Sequence, residues 1–343
     1  MTTTKYPWQD EAWAQLQQLR ARLPHAILFH GSEGIGKTAF AERFAQSLLC
    51  QTPLADGDAC GTCDSCGWFS QYNHPDYRRV RPEILEEDSV EGDDAEGDGK
   101  KSAKAAKTPS KEIKIDQIRG LADFMNISTH RQGMRIVLLY PAEALNTMAA
   151  NALLKTLEEP PPHTVFLLVC NGLDRLLPTI LSRCRKFALA MPSWQQALAW
   201  LSAQGIAQPD AWLAEQGGAP LAAFAMAQSG SREILDEFLA GLAKPSIDSA
   251  LKTAERLQKT PVVDLVAWMQ RWLYDVFSVK LSGTIRYYPR YEKDLGVLAR
   301  RVELPNLLRA LKSVNERRAI AEHPLSARLF IEDMLIDYVH LFP

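Results

Sequence analysis

His25–Thr38 reads HAILFHGSEGIGKT, a short apolar run followed by a glycine-rich turn and the start of a helix. The run at 25–30 has the length and composition of a buried strand. The turn matches the phosphate-binding loop pattern Gly-x-x-x-x-Gly-Lys-Thr, with the required strand before it and helix after it. A glycine turn that fits the pattern by chance is the alternative. We expect a nucleotide-binding loop here.

Each residue type in this loop has a chemical reason. Gly31, Gly34 and Gly36 would let backbone N–H groups surround a phosphate, and the helix N-terminus would add partial positive charge. Lys37 would reach the β- and γ-phosphates, and the Thr38 hydroxyl would hold Mg²⁺. These five residues predict an ATP–Mg²⁺ site, but the sequence does not decide whether it is occupied.

Further strands and helices continue this pattern along the first half. Apolar runs at 134–140 and 164–170 predict two strands, and helical spacing at 113–125 and 145–157 predicts one helix before each of them. Strands that alternate with helices indicate a parallel sheet covered on both faces. The first half is therefore predicted to be α/β.

The second half is predicted to contain only helices. No strand pattern follows Pro192, and helical segments occur at 193–204, 208–216, 219–229, 231–243, 247–259, 261–282 and 304–339. The apolar residues of the long segments, such as Trp268, Trp272, Leu273 and Phe277, are expected to form the core of a bundle. We predict three domains: an α/β domain at 1–190, a small helical domain at 191–230 and a larger one at 231–343.

Composition limits the class of protein. The chain has 343 residues, 46% hydrophobic and 23% charged, with a net charge of −2. This balance excludes a generally basic protein that coats nucleic acid. No apolar run reaches the roughly 18–20 residues of a membrane span, and the N-terminus lacks the hydrophobic core of a signal peptide. We expect a cytoplasmic protein without membrane contact.

A charged insert interrupts the first domain. Residues 83–98 contain nine acids and no Lys or Arg, and residues 99–111 contain five lysines and no acids. Such blocks cannot bury enough apolar surface to offset the entropy cost of ordering. We predict a disordered loop at about 86–111. An acidic mimic of nucleic acid is the less favoured alternative.

Four cysteines lie close together in the sequence. Cys50, Cys60, Cys63 and Cys66 span 17 residues, inside a module at about 50–70. CxxC spacings let neighbouring sulfurs meet one ion, and four sulfurs close a tetrahedral Zn²⁺ site without an open position for substrate. Structural zinc is the favoured prediction, with an iron–sulfur cluster or a redox dithiol as alternatives.

The end of the strand at 134–140 argues against ATP hydrolysis. A phosphate-loop ATPase commonly places an Asp that holds Mg²⁺ at the end of a neighbouring strand. This chain has Tyr140-Pro141 there, and neither side chain can coordinate the metal. Glu143 comes three residues too late for that role.

Three motifs together resemble a known family. ANALLKTLEEPP at 150–161, TVFLLVC at 164–170 and ILSRC at 180–184 resemble the AAA+ subunits of the bacterial DNA polymerase III clamp loader. The four-cysteine module after the phosphate-loop helix is similar to that family's module. Tyr6-Pro7-Trp8 and His74-Pro75-Asp76-Tyr77 are similar to a branch regarded as rigid and non-hydrolysing. Beyond residue 190 the resemblance is architectural, to a helical lid and collar.

The resemblance implies a role in a hetero-pentamer with motor subunits and a delta subunit. Such a complex opens the ring-shaped sliding clamp and closes it on primer–template DNA. The resemblance also implies that Arg183, in Ser182-Arg183-Cys184, acts in trans on ATP bound by a neighbouring chain. An ordinary surface ion pair is the alternative for Arg183. The turn Gly217-Gly218-Ala219-Pro220 lacks the sensing arginine that motor subunits carry.

Three functions stay open at this point. The favoured one is a non-hydrolysing stator subunit of the DNA polymerase III holoenzyme, a nucleotidyltransferase. The others are an ATP-hydrolysing motor subunit and an unrelated regulator on the same scaffold. Direct DNA contact is one interpretation of two basic clusters, Arg78, Arg79 and Arg81, and Arg317 and Arg318. The alternative is that these residues are solvent-exposed charges on the protein surface.

Overall fold

The structure is a computed structural model that describes residues 4–87, 109–126, 129, 133–230, 232–321 and 326–342. The chain divides into two units, Met1–Pro192 and Ser193–Pro343. The further division of the second half into a lid and a collar stays a prediction.

Five parallel strands form the centre of the first unit, in the order β2-β3-β4-β1-β5. Their bounds are β1 Ala26–His30, β2 Tyr77–Val80, β3 Arg135–Leu139, β4 Thr164–Cys170 and β5 Arg185–Ala188. Leu28 of β1 pairs with Leu168 of β4 on one side and with Lys186 of β5 on the other. The predicted parallel sheet with helices on both faces is confirmed.

The sequence predicts the three central strands but not the two edge strands. The side chains of β3 and β4 are buried along their whole length, and those of β1 are buried up to His30. β2 reads YRRV and β5 reads RKFA, so neither shows an apolar run. An edge strand pairs with a neighbour on one side only, so it tolerates charged residues. These residues remove the apolar pattern by which a strand is predicted from the sequence.

Helices cover both faces of the sheet. Their bounds are α1 Asp10–Leu19, α2 Lys37–Leu49, α3 Asp64–Ser70, α4 Ile84–Glu87, α5 Ile115–Asn126, α6 Thr147–Glu158 and α7 Pro178–Arg183. On one face, Phe29 of β1 packs against Phe40 of α2, with ring centroids 5.7 Å apart, and Phe40 packs against Trp13 of α1. On the other face, Leu153 of α6 is buried in a separate core with alternate strand residues. These packed helices fix the phosphate loop between β1 and α2.

The two ends of the charged insert come together. The backbone N–H of Ser110 donates to Glu83 Oε2 at 3.0 Å, and that of Ile84 donates to the Ser110 carbonyl at 3.2 Å. Most of the loop predicted at 86–111, residues 88–108, lies outside the described residues.

The second unit is helical throughout its described residues. Its helices are α8 Trp194–Ala203, α9 Pro209–Glu215, α10 Pro220–Gln228, α11 Arg232–Ala243, α12 Ile247–Leu257, α13 Val262–Ser282, α14 Glu292–Arg301, α15 Leu304–Ile320 and α16 Ala327–Val339. A small core joins α8, α9 and α10, and a larger core surrounds Trp272. Trp268 and Leu273 are buried in this larger core and Phe277 packs against it, as predicted.

Two details of the second unit differ from prediction. The segment at 304–339 is two helices, because Pro324 lies between them in the sequence and lacks the N–H of a continuous helix. The Ser326 side chain caps the second helix by accepting the N–H of Leu329. α14 was not predicted, since its sequence EKDLGVLARR has few apolar residues. Among the described residues, no helix combines the length and the apolar surface needed to cross a lipid bilayer.

Candidate functional site

The phosphate loop joins β1 to α2 in the predicted context. Gly31, Gly34 and Gly36 have φ angles of 149°, 74° and 85°, which favour glycine. A Cβ on Gly31 would lie 2.4 Å from the Leu189 carbonyl oxygen, and one on Gly36 would lie 2.6 Å from the Tyr6 ring. The loop conformation therefore depends on glycine at these two positions, whatever the loop binds.

Residues before α1 brace the loop from outside. Trp8 Nε1 donates to the Ile35 carbonyl at 3.0 Å, and the buried Gln9 amide donates to the carbonyls of Ile35 and Gly36 at 3.0 and 3.1 Å. Tyr6 stacks on Trp8 with ring centroids 4.9 Å apart. The three hydrogen bonds join residues 26 or 27 positions apart, so local sequence patterns do not predict them.

The loop lysine is engaged by its own loop. Lys37 is buried, and its Nζ donates to the Ser32 carbonyl oxygen at 2.6 Å. Burial lowers the pKa of Lys37, while the charges of Glu33 and Glu143 act in the opposite direction. Thr38 lies half-buried in the first turn of α2. A bound phosphate would have to take over the lysine's hydrogen bond to Ser32.

The segment after β3 replaces the expected metal-binding acid. Tyr140 is half-buried, and its hydroxyl accepts from Arg81 Nη1 at 3.4 Å. Glu143 lies in a short 3₁₀ turn over Ala142–Ala144, next to the end of β4. Its Oε1 accepts the N–H of Asn171 at 2.9 Å. Glu143 Oε2 is buried without a hydrogen-bond partner in the described part of the chain. Spacing alone discounted Glu143, but the turn places its charge where it partly opposes the lowering of the Lys37 pKa by burial.

The structure brings the four predicted metal-ligating cysteines together. All four Sγ atoms lie within 4.8 Å of one another, and none of the cysteines is in a disulfide. The Sγ–Sγ distance is 3.9 Å both for Cys50–Cys63 and for Cys60–Cys66. Tetrahedral zinc with Zn–S bonds of ~2.3 Å needs sulfurs ~3.8 Å apart. The donor set could therefore hold a metal ion of this kind.

Hydrogen bonds organise the residues around the cysteines. The backbone N–H of Cys60 donates to Cys50 Sγ at 3.2 Å, and that of Cys63 donates to Cys60 Sγ at 3.4 Å. Hydrogen bonds from Thr52 and Thr62 lower the pKa of the Cys60 thiol to about 5. Such donors favour the thiolate, which is the form that binds a metal, whereas burial raises the pKa of the Cys50 and Cys66 thiols.

A serine–histidine pair ties the cysteine module to the sheet, and sequence reasoning missed it. Ser65 Oγ donates to the Leu49 carbonyl at 2.6 Å and lies 2.8 Å from His74 Nε2. His74 Nδ1 accepts the N–H of Asp76 at 3.0 Å, so in the neutral ring Nε2 carries the proton and donates to Ser65. Ser65 and Leu49 neighbour the candidate ligands Cys66 and Cys50 in sequence, so the hydrogen bond from Ser65 to Leu49 links both ends of the cluster. Sequence reasoning noted His74 only within a family motif.

Arg183 lies at the C-terminal end of α7, and its side chain is 32% exposed. Nη1 donates to the Thr179 carbonyl at 2.9 Å and to Ser182 Oγ at 3.4 Å. Nη2 donates to the carboxylate of Glu158, at the end of α6. Arg183 therefore makes the surface ion pair that was the alternative to a role in trans, here with Glu158. Its Nε–H has no partner among the described residues.

Comparisons with known proteins agree on one family. A family model described as "DNA polymerase III, delta subunit" matches residues 8–193. DNA polymerase III subunit delta' of Pseudomonas aeruginosa is 38% identical, over 81% of this chain and 78% of that protein. The subunit delta' of Haemophilus influenzae is 31% identical, over 82% and 79% respectively. The chain belongs to the DNA polymerase III subunit delta' family. DNA polymerase III subunit tau of Escherichia coli is 34% identical, but over only 49% of this chain and 22% of its own length.

The turn at 217–220 of this delta' family chain contains no arginine. Gly217 and Gly218 have φ angles of 64° and 93°, and Pro220 begins α10. Proline at the first helical position is favourable, because its fixed φ suits a helix and no N–H is needed there. The turn thus has a local structural role.

The basic clusters of this delta' family chain have partners within it. Arg79 lies 3.3 Å above the Tyr72 ring and 3.7 Å from Glu42. Arg78 packs on the Phe124 ring at 4.7 Å, and Arg317 bridges two acids of α16. These contacts favour the structural interpretation of the clusters over direct DNA contact.

The two remaining cysteines are buried, Cys170 in β4 and Cys184 just after α7. Burial raises the pKa of each thiol to about 11. High thiol pKa values disfavour the reactive thiolate, so both residues behave as core side chains.

Proposed function

We propose that this chain is a non-hydrolysing subunit of the clamp loader that supplies Arg183 to ATP bound by a neighbouring chain. In this proposal it assembles in the cytoplasm with motor subunits and a delta subunit into a hetero-pentamer. That complex loads the sliding clamp onto primer–template DNA. The named relatives, which are subunits delta' and tau of DNA polymerase III, support this assignment.

The chemistry after β3 is the observation that carries the proposal. Mg²⁺ in an ATPase site needs a carboxylate at the strand end, and Tyr140 occupies that position with its hydroxyl engaged by Arg81. The next residue, Pro141, offers no side-chain oxygen either. Without that ligand, a nucleotide in this loop would be held but not hydrolysed.

One observation favours the alternative of an ATP-hydrolysing motor subunit. The carboxylate of Glu143 acts electrostatically on Lys37, so the loop is not wholly without a nearby acid. Steady-state ATPase measurements on the full chain separate the two functions. We expect background turnover, unchanged in Lys37→Ala and Glu143→Gln. Turnover that both substitutions abolish would refute the non-hydrolysing role.

Arg183 is tested in the assembled loader. A guanidinium from a neighbouring chain stabilises the charge that spreads over the γ-phosphate oxygens, and such a finger is worth ~10³–10⁵ in rate in trans systems. The effect should be smaller here, because other ATP sites of the complex keep their own arginines. We expect Arg183→Ala to slow DNA- and clamp-stimulated ATP hydrolysis, and Arg183→Lys to restore little, since an ammonium lacks the planar fork.

The control for Arg183 is Arg185→Ala, which removes an exposed arginine two residues away on β5. This variant should hydrolyse ATP at the normal rate in the assembled complex. Normal hydrolysis and clamp loading with Arg183→Ala would show that the finger assignment is wrong.

The four cysteines are proposed to hold one structural Zn²⁺. The support is the closeness of the four sulfurs, with two Sγ–Sγ distances of 3.9 Å near the tetrahedral value, and the N–H groups that donate to Cys50 and Cys60. When bound, zinc would cross-link the end of α2 to α3 in a module too small for a core of its own. The closed set of four thiolates leaves no position for a substrate.

ATP with Mg²⁺ is proposed as a ligand that the phosphate loop can bind. Thr38→Ala removes the hydroxyl expected to contact the metal, so it should weaken ATP binding more in Mg²⁺ than in EDTA. Ser47→Ala, on the same helix but hydrogen-bonded internally to Phe44, is the control. Equal ATP affinity for Thr38→Ala and the unchanged chain would exclude this metal contact.

A further inference from the structure

The guanidinium of Arg183 is held by two different elements. Thr179 and Ser182, on its own helix α7, accept from Nη1, and Glu158, at the end of α6, accepts from Nη2. Glu158 and Arg183 are 25 residues apart in sequence, so only the fold brings them together. An arginine side chain without such contacts loses rotamer entropy when it is fixed in one conformation.

These contacts leave one part of the guanidinium available. Nη1 uses both of its hydrogens, whereas Nη2 uses one of two and Nε makes no hydrogen bond to the described residues. A phosphate oxygen pair binds an arginine through two such N–H groups. The side chain is also 32% exposed, so an anion from another chain can reach it.

We propose that Glu158 is the positioning residue for Arg183. Glu158 is the first Glu of the LEEPP segment at 157–161, and neither the phosphate loop nor the arginine in trans explains its presence there. Its positioning role rests on the proposed function of Arg183. The carboxylate holds Nη2, while Nε–H and the second Nη2 hydrogen have no partner among the described residues. A neighbour's γ-phosphate then meets a fixed donor pair instead of a mobile side chain.

The pair is partly exposed, which limits the expected effect. Exposed ion pairs contribute at most about a fivefold difference in an equilibrium or rate. Glu158→Gln should therefore lower the kcat of stimulated ATP hydrolysis in the assembled loader about two- to fivefold. KM for ATP should stay the same, because the arginine acts on charge that develops in the transition state. Glu158→Asp, which keeps the charge, should recover part of the loss.

Glu159→Gln is the matched control. It removes the same charge one residue along, from an exposed side chain with no ion pair to a described residue. The double variant Glu158→Gln/Arg183→Ala should be no slower than Arg183→Ala alone, because Glu158 acts only through Arg183. A merely structural role for Glu158 would instead make the two losses add.

The outcomes distinguish this inference from the proposed function. Slow hydrolysis with Arg183→Ala but normal hydrolysis with Glu158→Gln would refute the positioning role and keep the trans arginine. Faster hydrolysis with Glu158→Gln would show that Glu158 restrains the arginine, which also refutes positioning. Normal hydrolysis with Arg183→Ala would refute both.

Discussion

Replacing Asp275 should loosen the segment between α13 and α14. Asp275 is fully buried, and its two carboxylate oxygens accept the backbone N–H groups of Arg286, Tyr287 and Tyr288 at 2.7–3.2 Å. The same segment leads to Arg290, whose Nη2 donates to the buried Glu215 of α9 at 3.1 Å. One carboxylate therefore orders the connection between the small helical core and the larger bundle.

The magnitude follows from which N–H groups can reach water. Asp275→Ala leaves the buried amide of Tyr288 without an acceptor, which costs about 1–3 kcal/mol. The amides of the exposed Arg286 and the half-buried Tyr287 regain bonds to water, so together they add about 1 kcal/mol. Burial raises the pKa of the Asp275 carboxyl, so its removal also relieves a desolvation cost. We expect a net loss of about 2–3 kcal/mol in the free energy of local opening.

Hydrogen–deuterium exchange of the full chain measures this directly. A loss of about 2–3 kcal/mol raises the opening constant of the 283–291 segment about 30- to 150-fold. Asp248→Ala is the control, because the Asp248 side chain is 78% exposed and, among the described residues, pairs with Lys252 on its own helix alone. The change in the free energy of opening should stay below about 0.5 kcal/mol. Unchanged exchange at Tyr287 and Tyr288 in Asp275→Ala would refute the reasoning.

Three further predictions concern the cysteine module and the acid that bridges two arginines. Elemental analysis of the full chain from metal-replete cells should find about one zinc ion per chain, and the Cys63→Ser variant should lose it. Finding iron, or less than about a tenth of an equivalent of zinc, would contradict the assignment. Ser65→Ala should weaken zinc affinity about 10- to 100-fold in chelator competition, whereas Ser70→Ala on the same helix should leave it unchanged. Equal zinc affinities of Ser65→Ala and the unchanged chain would exclude a role of Ser65 in holding the cysteines in place. Glu215 pairs with Arg232 and Arg290, so Glu215→Ala should lower the free energy of unfolding by about 2–3 kcal/mol. This is below the usual cost of breaking a buried pair, because Asp236 also pairs with both arginines; an unchanged melting temperature would contradict the prediction.

Local patterns predicted the features that depend on neighbours in sequence. The strand at 26–30, the glycine turn after it and the CxxC spacings each lie within a few residues, and each is found where expected. Edge strand β2 was missed because Arg78 and Arg79 interrupt its apolar pattern. Its place in the sheet is set by pairing with β3, more than 50 residues away.

The contacts that complete the candidate site are long-range and were not predictable. Gln9 reaches the phosphate loop from 26 residues upstream, and Glu158 reaches Arg183 across 25. Spacing argued against Glu143 as a residue of the site, because the sequence of the three-residue 3₁₀ turn does not predict where the turn places the Glu143 side chain. In each case the side chain is ordinary in its own segment and acquires its role from the fold.

An intact phosphate-loop motif is weaker support for ATP binding in this chain than its match suggests. Gly31 and Gly36 are required by packing, because a Cβ at either position would collide with Leu189 or Tyr6. Lys37 satisfies a loop carbonyl through its own amine, so it too has a partner without nucleotide. The Thr38 hydroxyl is different, because it makes no hydrogen bond to the described residues and its methyl group alone would serve packing. Of the motif's side chains, it is the one whose chemistry only a bound metal–nucleotide would use, so the effect of Thr38→Ala on Mg²⁺-dependent ATP binding decides between a working loop and a structural one.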